Sequence, residues 1–418
     1  FRIPTLNKSD ICVKIILMRL IFSLASLFLC CFLSAQNKLN VDKLSAFGTY
    51  LNEEIQQGLI AGAEVLVHHQ GKTVWHKAFG LNGLESGTPL EKNSLYFIQS
   101  MTKPIMSVAI MQLVEQGRLG LDDPVENYLP EVARLAVIKD VSSGITGATE
   151  PQQSKMTIAQ LLSHTAGFSH GLGENRFDQE LFKLMYNDLF DPIFYESVED
   201  ELAVLFQVPL IGQPGQQWYY SAAPDLLAAI LHKVTQQPID RYLKAHIFDP
   251  LQMNDTGYNV AEANRKRVMP VYLTNEEGRL MSSPVQAPTQ GNTFYGGSFG
   301  LFSSMNDYLR FCQMILNGGI LEGQRLLKAE TVALMSQNRV GNFLGPSRGF
   351  GLGFGVLVDT SQDPSPANNG QLYWGGFFKT HFFIDPTADL IAIFMTQKIP
   401  ATEEYVVALN RFVYGAME

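Results

Sequence analysis

Apolar residues recur at helical spacing over residues 41–59, where Leu44, Phe47, Leu51 and Ile55 share one face, which predicts an amphipathic helix. Two strand-like runs follow, AEVLVHHQ and KTVWHKAF, joined at Gly71 in what reads as a hairpin. Residues 94–97 form a short apolar approach to a long helical pattern over 102–116. Its stripe is Met106, Ala109, Ile110 and Leu113, and Gly117 closes it as a helix end. From about 118 to 290 strand-like alternation is scarce. Residues 157–163 and 223–235 read as helices, and 142–154 as a long, polar, mobile loop. Past Phe294 the character changes again. A helix over 305–317 is followed by the strand-like runs GLGFGVLVD, QLYWGG, THFFIDP and DLIAIFMTQ, and a last helix spans 403–414.

Strands at both ends and helices between them predict an α+β fold in two lobes. Both termini contribute to one sheet, and its short turns near the C-terminus imply antiparallel pairing. The expected division gives the sheet lobe residues 41–98 and 294–418, and an inserted, mainly helical lobe residues 99–293. A cleft between the lobes is the natural place for a ligand.

The first 35 residues belong to a different class of sequence. Residues 20–33, LIFSLASLFLCCFL, follow Lys14 and Arg19 and end on Ser34 and Ala35. A basic start, a short apolar run and a small-residue exit describe a secretory signal peptide. Fourteen residues are too few to span a bilayer core of about 30 Å as a helix. Export to the periplasm or medium is therefore expected, with residues 36–418 as the hydrolase domain and no stable membrane insertion after cleavage. The part removed takes four of the 31 Lys and Arg and one of the 40 Asp and Glu, which leaves 27 against 39, a balance of −12. That acidity argues against a nucleic-acid partner. Of four cysteines only Cys312 remains, in the helical pattern YLRFCQMIL, and it reads as a buried core thiol.

The chemistry centres on Ser100-Met101-Thr102-Lys103. About two S-x-x-K matches are expected by chance in a chain of this length, and here there is one, at the start of a strong helix. Three-residue spacing sets both side chains on one face, one turn apart. The helix start offers N–H groups and a positive dipole end to an oxyanion. A serine hydroxyl is a weak nucleophile until a base takes its proton, and a lysine does so only as a neutral amine. A capping serine and a solvated lysine would produce the same four letters. A second element is Pro214-Gly215-Gln216-Gln217-Trp218-Tyr219-Tyr220-Ser221, whose Tyr220 stands where a loop enters a helix and can relay protons or simply plug the core. A third is Tyr373-Trp374-Gly375-Gly376, where two glycines let backbone approach a ligand.

In that order, SMTK, YYS and WGG resemble the serine β-lactamase and penicillin-binding-protein superfamily, on its class C and family VIII carboxylesterase side. LLSHTAGF, PGQQWYYSAAPDLLAAIL, GGSFGLFSSMNDYLRFCQMILNGG and FGLGFGV agree, and the resemblance covers residues 41–415. It implies the two-lobe fold and an acyl-enzyme at Ser100. It implies Lys103 and Tyr220 as the base system, and an oxyanion hole from the N–H groups of Ser100 and Phe377, with Trp374, Gly375 and Gly376 beside the substrate. Two departures favour the esterases. Ala222 stands where the β-lactamase Y-x-N motif has its amide, and Trp374-Gly375-Gly376 stands for K-T-G.

Other patterns compete for attention. Gly296-Gly297-Ser298-Phe299-Gly300 fits the nucleophile elbow G-x-S-x-G, but turn-like residues 290–293 precede it where an elbow needs an apolar strand. Lys379-Thr380-His381 lacks the glycine of a third motif. His164 and His170, six apart with no acid or cysteine cluster, read as structural rather than as metal ligands. Asp225 and Asp307 read as charges near helix starts. The expected activity is metal-free and cofactor-free cleavage of small carboxylic esters. A cell-wall D-amino-acid peptidase or amidase, or a weak class C-like β-lactamase, is the alternative substrate reading. A binding protein that kept the fold without turnover is the non-enzymatic one.

Overall fold

The strand-like runs from the two ends of the chain do meet in one sheet. The computed structural model describes residues 38–188, 191–363, 365–399 and 403–418. The signal peptide expected in residues 1–35 lies outside them. β1 (Gly62–His69), β2 (Lys72–Gly83) and β3 (Thr88–Pro89) come from the first part of the chain. β4 (Arg348–Phe350), β5 (Gly355–Leu357), β6 (Leu372–Gly376), β7 (Thr380–Asp385) and β8 (Leu390–Met395) come from the last part. Their order is β4-β5-β6-β7-β8-β1-β2-β3, antiparallel throughout. The termini join where β1 meets β8, with Val65 opposite Phe394 and Leu66 opposite Ile393.

Period-two alternation sends those residues to opposite faces. Val65, Val67 and Phe394 pack with Phe47 and Leu51 of α1 (Ser45–Gln56) and with Leu409 of the C-terminal helix Glu404–Gly415. Leu66, Ile391 and Ile393 join the large core on the other face. Helices therefore cover both faces, which explains why every position of β1 and β8 is buried rather than every second one.

Between the two sets of strands lie α2 (Thr102–Glu115), α3 (Ile158–Leu162), α4 (Arg176–Tyr186), α5 (Val198–Leu205) and α6 (Ala223–Thr235), followed by α7 (Met305–Leu316). The sequence pattern for α2 gave one apolar stripe, but the helix is buried on every side from Thr102 to Leu113. Its position at the centre of the molecule leaves no face for water, so Lys103, Ser107 and Gln112 are carried inside with it. Cys312 in α7 is buried, as its helical setting predicted, and burial pushes its thiol pKa up. Residues 142–154, expected as an open loop, are tied down. Val137–Ile138 pairs with Thr149–Glu150, and Gln152 donates to the carbonyls of Val132 and Leu135. Short ladders and long-range side-chain bonds of this kind leave no periodic signal to read. Among the described residues no helix is long and apolar enough to cross a membrane.

Candidate active site

Leu95–Phe97 pairs antiparallel with Phe302–Ser304, and the Ile98 N–H bonds the Leu301 carbonyl. This crossing brings residues 98–100 beside residues 296–301, far apart in sequence. The chain then turns sharply: Gln99 has φ 49°, the left-handed region, and Gln99–Met101 forms a 3₁₀ turn that leads into α2. A non-glycine residue held there stores about 1–3 kcal/mol of local strain. Its effect is to bring Ser100, half-buried, to the wall of a cavity of about 1210 Å³.

The expected helical neighbour is in place. Lys103 Nζ lies 3.2 Å from Ser100 Oγ, and the residue is 1% exposed, so the capping-serine and solvated-lysine reading is excluded. The amine has two further partners: it donates to the Ser298 carbonyl at 3.0 Å and lies 3.4 Å from His170 Nε2. Tyr220 joins from across the chain, its hydroxyl donating to Ser100 Oγ at 2.6 Å while Lys103 sits over its ring, 4.7 Å from the centroid. The nucleophile candidate is thus bracketed by two groups able to exchange a proton with it.

Tyr220 is held firmly. The N–H of Tyr219 bonds the His164 carbonyl, and the N–H of His170 bonds the Tyr220 carbonyl, so residues 164–170 run alongside the tyrosine segment. The His164 ring bonds Ser221 Oγ at 2.8 Å. Trp218 stacks on Tyr220 at 6.3 Å, and Trp374 meets it at 5.5 Å. Of the two histidines read from sequence as structural, His170 lines the cavity, while His164 is buried behind it against the Tyr220 ring. Burial, reinforced by the Lys103 charge, pushes both well below the usual histidine range, so they stand as neutral imidazoles. His170 Nδ1 pairs with the Tyr186 hydroxyl at 2.7 Å. The residues around Lys103 therefore include two that the sequence reading did not place in the site, His170 and Ser298, with Tyr186 behind His170.

The Trp374-Gly375-Gly376 stretch ends β6 against the nucleophile turn. A Cβ on Gly376 would lie 2.4 Å from the Ile98 carbonyl oxygen, so only glycine lets the strand edge come this close. Phe377 follows and lines the same cavity as Ser100. Lys379 serves another purpose: it turns the chain between β6 and β7 and pairs with Glu404, its amine over the Tyr405 ring, on the outer helix. That removes Lys379-Thr380-His381 from contention.

The elbow motif is also resolved. Ser298 is fully buried and lies in an irregular segment with no strand before it. Its carbonyl, not its hydroxyl, meets Lys103. A fluorophosphonate probe should accordingly label Ser298→Ala as it labels wild type. Loss of labelling in that variant, with the fold intact by circular dichroism, would revive Ser298 as the nucleophile.

Asp225 and Asp307 do stand in the first turns of α6 and α7, and each has a further role. Asp307 accepts from the Asp255 N–H and the Thr256 hydroxyl, and Asp225 from the N–H groups of Gly297 and Ser298. Both also tie distant segments together, through donors that compensate part of the cost of burying a carboxylate.

Similarity to known proteins extends over most of the chain. The family model described as Beta-lactamase matches residues 47–412. An uncharacterised protein of Mycobacterium tuberculosis is 31% identical over 364 residues, covering 84% of this chain and 89% of that one. Esterase EstB of Burkholderia gladioli is 29% identical over 367 residues, covering 82% of this chain and 88% of its own. Among solved structures, EstCE1, a hydrolase with promiscuous acyltransferase activity, superposes with a TM-score of 0.76 at 25% identity, covering 90% of this chain and 99% of that one.

Proposed function

The chain belongs to the beta-lactamase family, and from that membership we propose that it cleaves carboxylic esters through an acyl-enzyme on Ser100. It is a serine hydrolase, on the ester-hydrolase side of the superfamily. The observation that carries the finer reading is Ser100 Oγ, within hydrogen-bond reach of both Tyr220 Oη and Lys103 Nζ at the wall of a deep cleft.

In the proposed reaction Ser100 Oγ attacks the ester carbonyl as its proton passes to the Tyr220–Lys103 pair. The N–H groups of Ser100 and Phe377 receive the oxyanion. The departing alkoxide takes the proton, and the acyl group stays on Ser100. Water then attacks the acyl-enzyme, giving a proton to the same pair; the bond from the acyl carbon to Ser100 Oγ breaks, Oγ regains that proton, and the acid leaves.

The cleft favours apolar esters. Trp218, Trp374, Phe294, Phe299 and Phe377 line it, and Leu172, Ile193 and Phe194 at 48, 42 and 64% exposure bring apolar surface to its edge. Its volume of about 1210 Å³ exceeds the usual 300–1,000 Å³ of small-molecule sites. There is room for substrates larger than the small esters the sequence suggested. Ala222 is buried, and Trp374 packs edge-on to Phe350 with ring centroids 5.1 Å apart. Neither supplies an amide or an ammonium for a β-lactam's polar groups. The value of kcat/KM for a p-nitrophenyl butyrate should exceed that for nitrocefin by about 10²-fold or more, the scale on which missing polar partners discriminate. Parity, or preference for nitrocefin, would reverse this assignment.

A further inference from the structure

Behind Lys103 lies a pair of carboxyl groups that the reaction outlined above does not use. Asp225, in the first turn of α6, is fully buried. Its Oδ1 accepts from the Gly297 N–H at 2.8 Å and from the Ser298 N–H at 2.9 Å. The approach is close enough that a Cβ on Gly297 would sit 2.0 Å from the Pro224 carbonyl oxygen. The next carbonyl along that loop, Ser298 O, is the one that receives Lys103 Nζ. Asp225 thus fixes both amides of a turn whose carbonyl holds the amine toward Ser100. Glu201 of α5 is also fully buried, and both of its carboxyl oxygens lack a hydrogen-bond partner.

We infer that Asp225 is a positioning residue for the reaction: it sets the Ser298 carbonyl that aims Lys103 at Ser100, and it is the negative charge behind that amine. The inference rests on the Ser100–Lys103 reading of function. Its geometry needs an acceptor at Oδ1, and its electrostatics need an anion near the base pair. The groups facing Lys103 leave little else to supply that charge. Ser100 and Tyr220 are hydroxyls, and His164 and His170 are held neutral by burial. Burial, and then the neighbouring Asp225, push Glu201 well above the ordinary carboxylate range, so it stands protonated. Burial raises Asp225 as well, opposed in part by hydrogen bonding from Ser298, the Lys103 charge and the Gly297 N–H; its Oδ2 has no hydrogen-bond partner, but its Oδ1 has the two N–H donors that Glu201 lacks, so of the two it is the one placed to hold the charge.

Three variants of the full chain separate these roles. Asp225→Ala removes acceptor and charge, and kcat should fall about 10²-fold, the cost of a misplaced catalytic group, with KM little changed. Asp225→Asn keeps an oxygen for the two N–H groups and should recover most of that kcat. Losing the anion destabilises the protonated form of the base pair, so the acid limb of its kcat/KM profile should move about 1 unit to lower pH. Glu201→Gln exchanges one neutral group for another and should leave that limb in place. A folded Asp225→Ala enzyme with kcat within about threefold of wild type, or an unmoved limb in Asp225→Asn, overturns the inference. An equal shift in Glu201→Gln does so too, by assigning the charge to Glu201. Should Asp225→Ala not fold, the asparagine profile decides alone. Fluorophosphonate labelling of wild type at Ser100 is read in parallel. Without it the functional reading fails along with the inference, whereas labelling with an unmoved asparagine profile sinks only the role of Asp225.

Discussion

Ser100→Ala is expected to lower ester kcat on the order of 10⁶-fold, the loss that follows removal of the nucleophile from a serine hydrolase. The substitution removes one oxygen at a half-buried position in a 3₁₀ turn. The turn is held by backbone, through the Ile98 N–H on the Leu301 carbonyl and the Met101 N–H on the Ile98 carbonyl. The fold should therefore survive, and the Tyr220 hydroxyl and Lys103 amine lose only their shared partner. Two measurements check this together. Steady-state rates on a p-nitrophenyl ester give the loss, and intact-mass spectrometry after brief exposure to a fluorophosphonate gives the adduct. Wild type should gain one adduct, mapped to the Ser100 peptide, and Ser100→Ala none. Retained turnover in the alanine variant would remove the acyl-enzyme from the mechanism.

Lys103 offers the second large effect. Arginine keeps a positive charge but does not release its proton at any working pH. Lys103→Arg should lose about 10²–10⁴-fold in kcat, the usual worth of a general base, and Lys103→Ala should be comparably poor. The position is 1% exposed and Nζ already has three partners: Ser100 Oγ, the Ser298 carbonyl and His170. Circular dichroism and thermal melts must accompany the rates, since a planar guanidinium needs more room than an amine. The informative outcome is a split. An arginine enzyme that keeps most activity while the alanine enzyme is dead makes Lys103 a charge alone. Tyr220, whose hydroxyl is the nearer at 2.6 Å, is then the base.

The two parts of this site were unequally legible. The spacing of Ser100 and Lys103 is a local fact: once residues 102–115 form a helix, three residues bring the lysine beside the serine. The strands were legible for the same reason, since apolar runs bounded by turns report what the adjoining backbone must bury. Glu201 carried a signal that was not used. In the helix VEDELAVL it lies three residues after Val198 and four before Leu205, both buried, so helical spacing sets it on the inward face. Asp225 carried none, because α6 is buried from Ala223 to Leu231 and offers no polar face for contrast.

The sequence by itself determined that strands from both ends join in one antiparallel sheet, several of the helices, and the identity of a serine–lysine pair one helical turn apart. Only the tertiary structure decided what surrounds that pair. Tyr220 arrives from 120 residues away and the Ser298 carbonyl from 195, and His170 and Asp225 close the cage. Local pattern records which side chains avoid water over a few residues. It does not record which distant segments meet, and a carbonyl oxygen, identical in every residue, leaves no trace in the sequence of the one place where it is needed.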